Sequence, residues 1–374
     1  MHVELDRKEL LALVKAVALV AKPSDLRPVL RNVLMSATEE GFSLTATDLT
    51  VSLWLHTPID STTILSQGKV LVQAQSFQRV LASLKSSRIT LQEANGQLIA
   101  RAGKAKFELV TEDVKDFPGI TRFSTKVQYL TLSADVAVSA VSRVAFCAHT
   151  ERSHYNMHGV IVKSDGSSIE MAATNGQRLA VAVAPVSNKV AGVGAIIESI
   201  IIPAASILIM QKVIGIGKEE SLDFQWTNRG LNVRGTRGEV SMQALRGSFP
   251  PYQRGIPQNS KHIVLDRKQL VEILKQATAL KTAATTFVDL TLEENKLTFQ
   301  SSVPDSGKTR VECDGEWEHG TLNLVVNPDF LLQSAVAMSG DQVLLELEGV
   351  TVPTLLREVG QSINSLCVFA VARK

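Results

Sequence analysis

Residues 5–16, LDRKELLALVKA, and residues 265–276, LDRKQLVEILKQ, are near copies at opposite ends of a 374-residue chain. Each reads as a capped amphipathic helix. Asp6 and Asp266 stand where an N-cap side chain accepts the first free amides, and Glu9 and Gln269, three residues on, can close a capping box. Leu10, Leu13, Val14 and Val17 follow the i, i+3, i+4, i+7 spacing of a helix packed on one side, as do Leu270, Ile273, Leu274 and Ala277. Lys8 and Lys15, matched by Lys268 and Lys275, fall on the opposite side.

The same pattern occurs a third time, with fewer charges, at LTLSADVAVSAVSRVAFCA, where Ser133 can cap a helix running to about Ala148. After each helix comes alternating apolar sequence around EEG, SDG or EEN, which reads as strand, turn, strand. A second matched trio follows: VLVQAQSFQRVLASL from Val70, IIIPAASILIMQKVI from Ile200 and LVVNPDFLLQSAVAM from Leu324. Each is a β-branched run, a break and an amphipathic helix, with Asn327 and Pro328 as cap and first helical residue in the last. Further strand pairs come after these helices.

Three tandem units of about 120–130 residues therefore cover the chain, far longer than the roughly 20–50 residues of a solenoid repeat, so each unit is a domain. They end at DVKDFPGI and RGSFPPYQRGIP, where prolines suit extended connectors. The expected domains are 1–124, 125–257 and 258–374. Each should be α+β, with two helices packed on antiparallel sheet.

Hydrophobic residues make up 45% of the chain, yet no apolar run approaches the ~18 residues that span a bilayer, and no secretory leader is expected, for the first residues lack a basic region followed by an apolar stretch. A soluble, cytoplasmic protein with no membrane partner is expected. Cys147, Cys313 and Cys367 form no CxxC spacing and suggest buried apolar residues rather than a disulfide framework. The net charge of +2 does not decide nucleic-acid binding, which depends on how charge is distributed over faces. Catalytic patterns are missing: GIGKEES lacks the spacing of a phosphate-binding loop, and His149 and His154 fit no metal-ligand pattern. No enzyme activity, cofactor or metal is expected.

The three-unit layout, with ATDLTVSLWL, AATNGQRLAVA, DFPGI and SFPPYQRGIP at their places, resembles the bacterial DNA sliding clamp, the beta subunit of DNA polymerase III. The likeness spans the chain, and ATNGQRLA followed by the F-P-x-Y-x-R pattern is its most specific part. The resemblance implies a head-to-tail homodimer closing a ring around duplex DNA, a processivity factor without catalysis, opened on DNA by a clamp loader. Under it Lys8, Lys15, Lys22, Lys268 and Lys275 would face phosphates without reading bases, with Arg79, Lys85 and Lys212 as further candidates. Arg152, His154 and Tyr155, in ERSHYNMHG, match the family's DNA-contacting loop.

The resemblance also implies a pocket for short peptides of DNA polymerase III and other clamp-binding-motif proteins. Its matching positions are Met157, Thr174, Gly176, Gln177, Arg178, Leu179, Pro250, Arg254, Gly255, Pro353, Val368 and Ala370. Apolar walls would take hydrophobic anchors while Arg178 and Thr174 fix the peptide backbone. Asn175, Gln177, Gly255 and the FAVARK tail depart from the family's usual wording, which points to narrowed or weakened peptide specificity. Phe107, against a patch including Leu280, matches an aromatic inserted across the dimer interface. The alternatives are a diverged paralogue with specialised partners, and a repeat-built enzyme whose active site would show converging Arg, Lys and carboxylate groups.

Overall fold

The computed structural model describes residues 1–58, 61–151, 155–190, 199–214, 220–280, 287–303 and 306–371. Six helices are found among them: α1 (Arg7–Val17), α2 (Ala74–Ser83), α3 (Ala134–Val144), α4 (Ala204–Ile214), α5 (Arg267–Ala277) and α6 (Pro328–Ala337). The strand pairings with a defined register among these residues are antiparallel: hairpins, longer-range pairs within a repeat such as His2–Asp6 with Arg88–Ala94, and pairs between repeats. The apolar faces read from the sequence are the buried ones: Leu10, Leu13, Val14 and Val17 are at most 1% exposed, and Leu270, Ile273, Leu274 and Ala277 at most 7%. Each of the leucine, isoleucine and valine side chains contributes roughly 1.5–3 kcal/mol by leaving water.

The caps form as the first residues dictate. Asp6 accepts from the amides of Lys8 and Glu9 at 2.8 and 3.0 Å, Asp266 from Gln269 at 2.7 Å, and Asn327 from Asp329 at 3.0 Å. Glu9 does not turn back toward Asp6 as a capping box would have it; its carboxylate accepts from Arg237 at 3.2 Å, a charge-assisted bond. The arginine of each LDRK segment has a use that helix periodicity does not reveal. Arg7 donates to the carbonyls of Ser86 and Leu81, and Arg267 to those of Gly340 and Ala335. These carbonyls lie in or just after α2 and α6, so one guanidinium ties the two helices of a repeat together.

The third helix is shorter than its periodicity suggests. It stops at Val144, whose backbone (φ −123°, ψ −38°) leaves the helical region, and a single tight turn, Ala145–Cys147, follows. That turn releases the Phe146 carbonyl for a bond described below.

Packing divides the chain into two compact units that are not continuous in sequence: residues 1–135 with 187–244, and residues 136–186 with 245–374. In the first, fourteen strands form one hydrogen-bonded series. Its junction is the pairing of Val51–His56 with Gly238–Gln243, where Leu53 faces Val240. The connector between repeats is pinned over this sheet. Arg122 grips Glu239 through two bonds of 2.6 and 3.1 Å, and the Gln225 side chain bonds the backbone of Ser124 in both directions.

In the second unit, Arg178–Pro185 pairs with Asn364–Phe369, which pairs in turn with Thr354–Glu358, so strands from separate repeats share a sheet. A separate four-stranded sheet runs in the order Gly307–Asp314, Lys296–Val303, Val288–Glu293, Leu322–Val326. Beside the shared sheet lies an ion pair sealed from water. Arg143, on α3, donates to both carboxylate oxygens of Glu358 at 2.8 and 3.0 Å, with side chains 3% and 0% exposed. The carboxylate also accepts from the amides of Ser339 and Gly340 and from the Ser365 hydroxyl.

Burial pushes Glu358 toward protonation, but Arg143 and these donors outweigh it and hold its pKa at about 2 instead of 4.5. A lowered value means the charged form is favoured in the folded state. Its contribution, about 3 kcal/mol, is therefore complete above pH ~4.5 and is lost as the pH falls toward 2. Glu358→Gln would strand a buried guanidinium and cost about 3–5 kcal/mol. Urea unfolding should show that loss at pH 7, and the variant's stability should vary less with pH between 4.5 and 2 than that of the parent.

Candidate partner-binding site

The turn joining Ser168–Thr174 to Arg178–Pro185 is built from its own polar atoms. Asn175 Oδ1 accepts from the amides of Gln177 and Arg178 at 3.1 Å each, and Thr174 Oγ1 donates to the Arg178 carbonyl at 2.7 Å while accepting from the Gly176 amide. Asn175 thus closes the turn with a neutral side chain. Gly176 sits at φ +87°, in the left-handed region. A Cβ there would lie 4.0 Å from Met157 Sδ, an ordinary contact, which places Met157 beside the turn.

Three segments meet around this turn. Asn156, itself left-handed at φ 53°, donates to the carbonyls of Arg246 and Ser248, so the loop carrying Met157 is stitched to the connector leading to Pro250. That connector is anchored by Tyr252, which donates to the Glu170 carboxylate and accepts from Lys163 Nζ at 2.9 Å. Its tight turn Tyr252–Gly255 leaves Arg254 and Gly255 exposed. On the other side Leu179 faces Val368 in the strand ladder, and the Ala370 amide continues that ladder by donating to the Gln177 carbonyl at 3.1 Å. Pro353 is half-buried, its carbonyl held by Asn259.

Arg178 is the electrostatic centre. Its guanidinium lies 5.2 Å from the Phe146 ring and 4.8 Å from the Phe330 ring, and donates to Gln333 Oε1 at 2.6 Å and to the Phe146 carbonyl at 2.7 Å. Its Nε is buried without a hydrogen-bond partner among the described residues. Cys147 and Cys367 are buried close by; burial pushes both thiols up, that of Cys367 to about 12, so they are inert apolar packing at neutral pH.

All twelve nominated pocket residues fall in the second compact unit, and the contacts above join the segments that carry them. Leu179 and Val368 are only 7% and 5% exposed, a cross-strand core pair as much as a wall. Thr174 and Arg178 already spend hydroxyl and guanidinium donors within the chain. Periodicity and spacing missed Phe146, Phe330 and Gln333, which hold Arg178. They lie on other elements and carry no local signal; Asn156 alone could have been suspected, as an asparagine in a turn-rich loop.

Lys8, Lys15 and Lys22 are exposed on and after α1, Lys268 and Lys275 on α5, and Arg79, Lys85 and Lys212 on or beside the second helices. Lys268 approaches Asp341 at 3.6 Å with both side chains largely in water, a pair worth little. Tyr155 is 57% exposed; Arg152 and His154 lie outside the described residues. Phe107 is half-buried on the strand Ala105–Glu112, facing Ala100. Leu280 is half-buried next to Gly307, whose Cβ would lie 3.7 Å from it.

Against this geometry the comparisons with known proteins agree. Residues 1–121, 131–251 and 253–368 match, in order, the N-terminal, central and C-terminal domains of the DNA polymerase III beta subunit. The chain belongs to the DNA polymerase III beta subunit family. Among curated relatives, the beta sliding clamp of Pseudomonas aeruginosa is 24% identical over 366 residues, covering 96% of each chain, and that of Pseudomonas putida 25% over 374 residues, covering 98% and 99%. Among solved structures, the sliding clamp of Bacillus subtilis superposes with a TM-score of 0.89 at 20% identity over 100% of this chain and 99% of that one. A Pseudomonas aeruginosa sliding clamp bound to griselimycin gives 0.89 at 23% over both whole chains.

Gly176→Ala tests the turn itself. Because the added methyl meets open space or ordinary contact, its cost is backbone strain, about 1–2 kcal/mol, and thermal unfolding should register it without loss of secondary structure by circular dichroism.

Proposed function

We propose that the protein is a non-catalytic DNA sliding clamp: a processivity factor that encircles duplex DNA and tethers DNA polymerase III and other replication or repair proteins. The observation that carries this reading is the match of three consecutive repeats to the three family domains, in order and over nearly the whole chain. In this reading the domains are 1–124, 125–257 and 258–374, the protein works in the cytoplasm with no cofactor, and a clamp loader opens it.

Two strand edges support a head-to-tail homodimer. Ala105–Glu112 pairs with Gln97–Ala102 along one side, while among the described residues its other side is paired only at Thr111 and Glu112. Gly307–Asp314 is the outermost strand of its sheet. Free edges invite pairing with another chain, and a heterologous contact that closes yields a ring rather than a filament. Phe107 and Leu280 lie at these two edges. The exposed lysines of α1 and α5, with Arg152, His154 and Tyr155, are assigned to phosphate contact, which attracts any duplex without reading its sequence. The site around Arg178 and Leu179 is assigned to extended peptides of partner proteins, with Met157, Gly176, Gln177, Arg254 and Ala370 offering accessible surface.

Retention after enzymatic loading distinguishes a ring from an ordinary DNA-binding protein. The protein should stay on nicked circular DNA and leave once the circle is linearised; equal loss from both would overturn the reading. Reversing Lys8, Lys15, Lys268 and Lys275 to Glu should leave the dimer intact by sedimentation while lowering loading efficiency and flattening its dependence on salt.

A further inference from the structure

Residues 116–122, DFPGITR, and 248–254, SFPPYQR, close the first two repeats in the same wording, so that Ile120 answers Tyr252 and Arg122 answers Arg254. The strands they cross correspond rung for rung. Ser36 faces Ser43, which faces His56; Lys163 faces Glu170, which faces Val183. Two rungs on, and on the same face, Thr45 faces Trp54 where Ala172 faces Val181.

In the second repeat this place is full. Tyr252 is 7% exposed, its hydroxyl lies between Glu170 and Lys163, and the Lys163 ammonium also sits 4.6 Å from its ring. In the first repeat the tyrosine is an isoleucine, and the lysine and glutamate are serines. A phenol and two long side chains are missing from one spot, and a cleft of about 710 Å³ lies there, lined in part by Ser36, Ser43, Trp54, His56, Phe117 and Ile120.

The connector has not collapsed into the space. Arg122 holds it open at the rim, gripping Glu239 while lying 3.6 Å from the centre of the Trp54 ring. Trp54 and His56 are half-buried, with ring centroids 5.3 Å apart. The cleft is thus walled by aromatic rings, floored by hydroxyls that can donate and accept, and within the roughly 300–1,000 Å³ of ordinary binding pockets.

We propose that this cleft docks an extended segment of a partner protein, anchored by one tyrosine side chain that enters where Tyr252 lies in the second repeat. The second repeat supplies the template for the occupant. With serines in place of Lys163 and Glu170, the hydroxyls of Ser36 and Ser43 can bond a phenol hydroxyl, while Glu40, Lys69 and Arg122 add charged groups elsewhere in the cleft lining. The proposal stands apart from the clamp reading, which assigns partner peptides to the site around Arg178.

The test uses the full chain labelled with 5-fluorotryptophan, whose three tryptophans give separate fluorine resonances. The probe is a synthetic peptide of residues 248–255, SFPPYQRG, alongside its Tyr252→Ala analogue. The expected result is a saturable shift of the Trp54 resonance alone, with the analogue at least about tenfold weaker, as truncation of an aromatic anchor produces. Ile120→Tyr should plug the cleft from the connector and abolish the response; Ser43→Phe fills it from the sheet and keeps the test decisive if the first variant misfolds. No Trp54 shift, equal responses to both peptides, equal shifts at all three tryptophans, or undiminished binding by a folded plugged variant would overturn the proposal. So would a Trp54 resonance that moves with protein concentration alone, which would make a second copy of the chain the occupant.

Discussion

A carboxylate and a guanidinium with almost no contact with water fix the frame on which the candidate site rests. Glu358 receives both arms of Arg143, two backbone amides and a serine hydroxyl, which is close to all that a carboxylate can accept. Such a pair is costly to bury, and its value lies in geometry: only one arrangement satisfies every donor. It joins α3 to the residues that follow α6. The turn that follows α3 supplies the Phe146 carbonyl and ring, and α6 supplies Phe330 and Gln333; together they hold Arg178. The position of the 174–178 turn is thus inherited from a charge pair remote from it in sequence.

Strand pairing makes the repeats into something other than beads. Val51–His56 with Gly238–Gln243, and Arg178–Pro185 with Asn364–Phe369, extend sheets from one repeat into the next. This explains why compact packing does not follow chain order. The repeats are most alike where each must build itself, in capped helices and hairpins, and most different where it meets a connector. At one connector Arg122 reaches Glu239; at another Tyr252 is plugged between Lys163 and Glu170. Divergence at those points lets one repeat fill a cleft that another leaves open.

The family's fold was legible because its signals are local. The i, i+3, i+4 spacing of Leu10, Leu13 and Val14 specifies which helix face is buried, and Asp6, Asp266 and Asn327 cap helices through amides two or three residues away. Alternation around EEG, SDG and EEN specifies hairpins for the same reason. The candidate site was legible only as a resemblance. Its motif residues could be named from Thr174 to Leu179, but the internal bonds that occupy Thr174 and Arg178 could not, and neither could the burial of Leu179 against Val368.

Sequence by itself therefore determined that six helices are found among the described residues, the buried faces of α1 and α5, and the threefold repetition, since each depends on interactions within a few residues of chain. Tertiary structure alone decided that Glu9 meets Arg237 rather than closing a capping box, that Arg7 and Arg267 tie helix to helix, and that Arg143 lies buried against Glu358. Those partners are separated by dozens to hundreds of residues. An arginine carries no mark in the sequence of which distant carboxylate or carbonyl will exclude water from it; only the folded chain, by bringing them together and burying them, makes that choice.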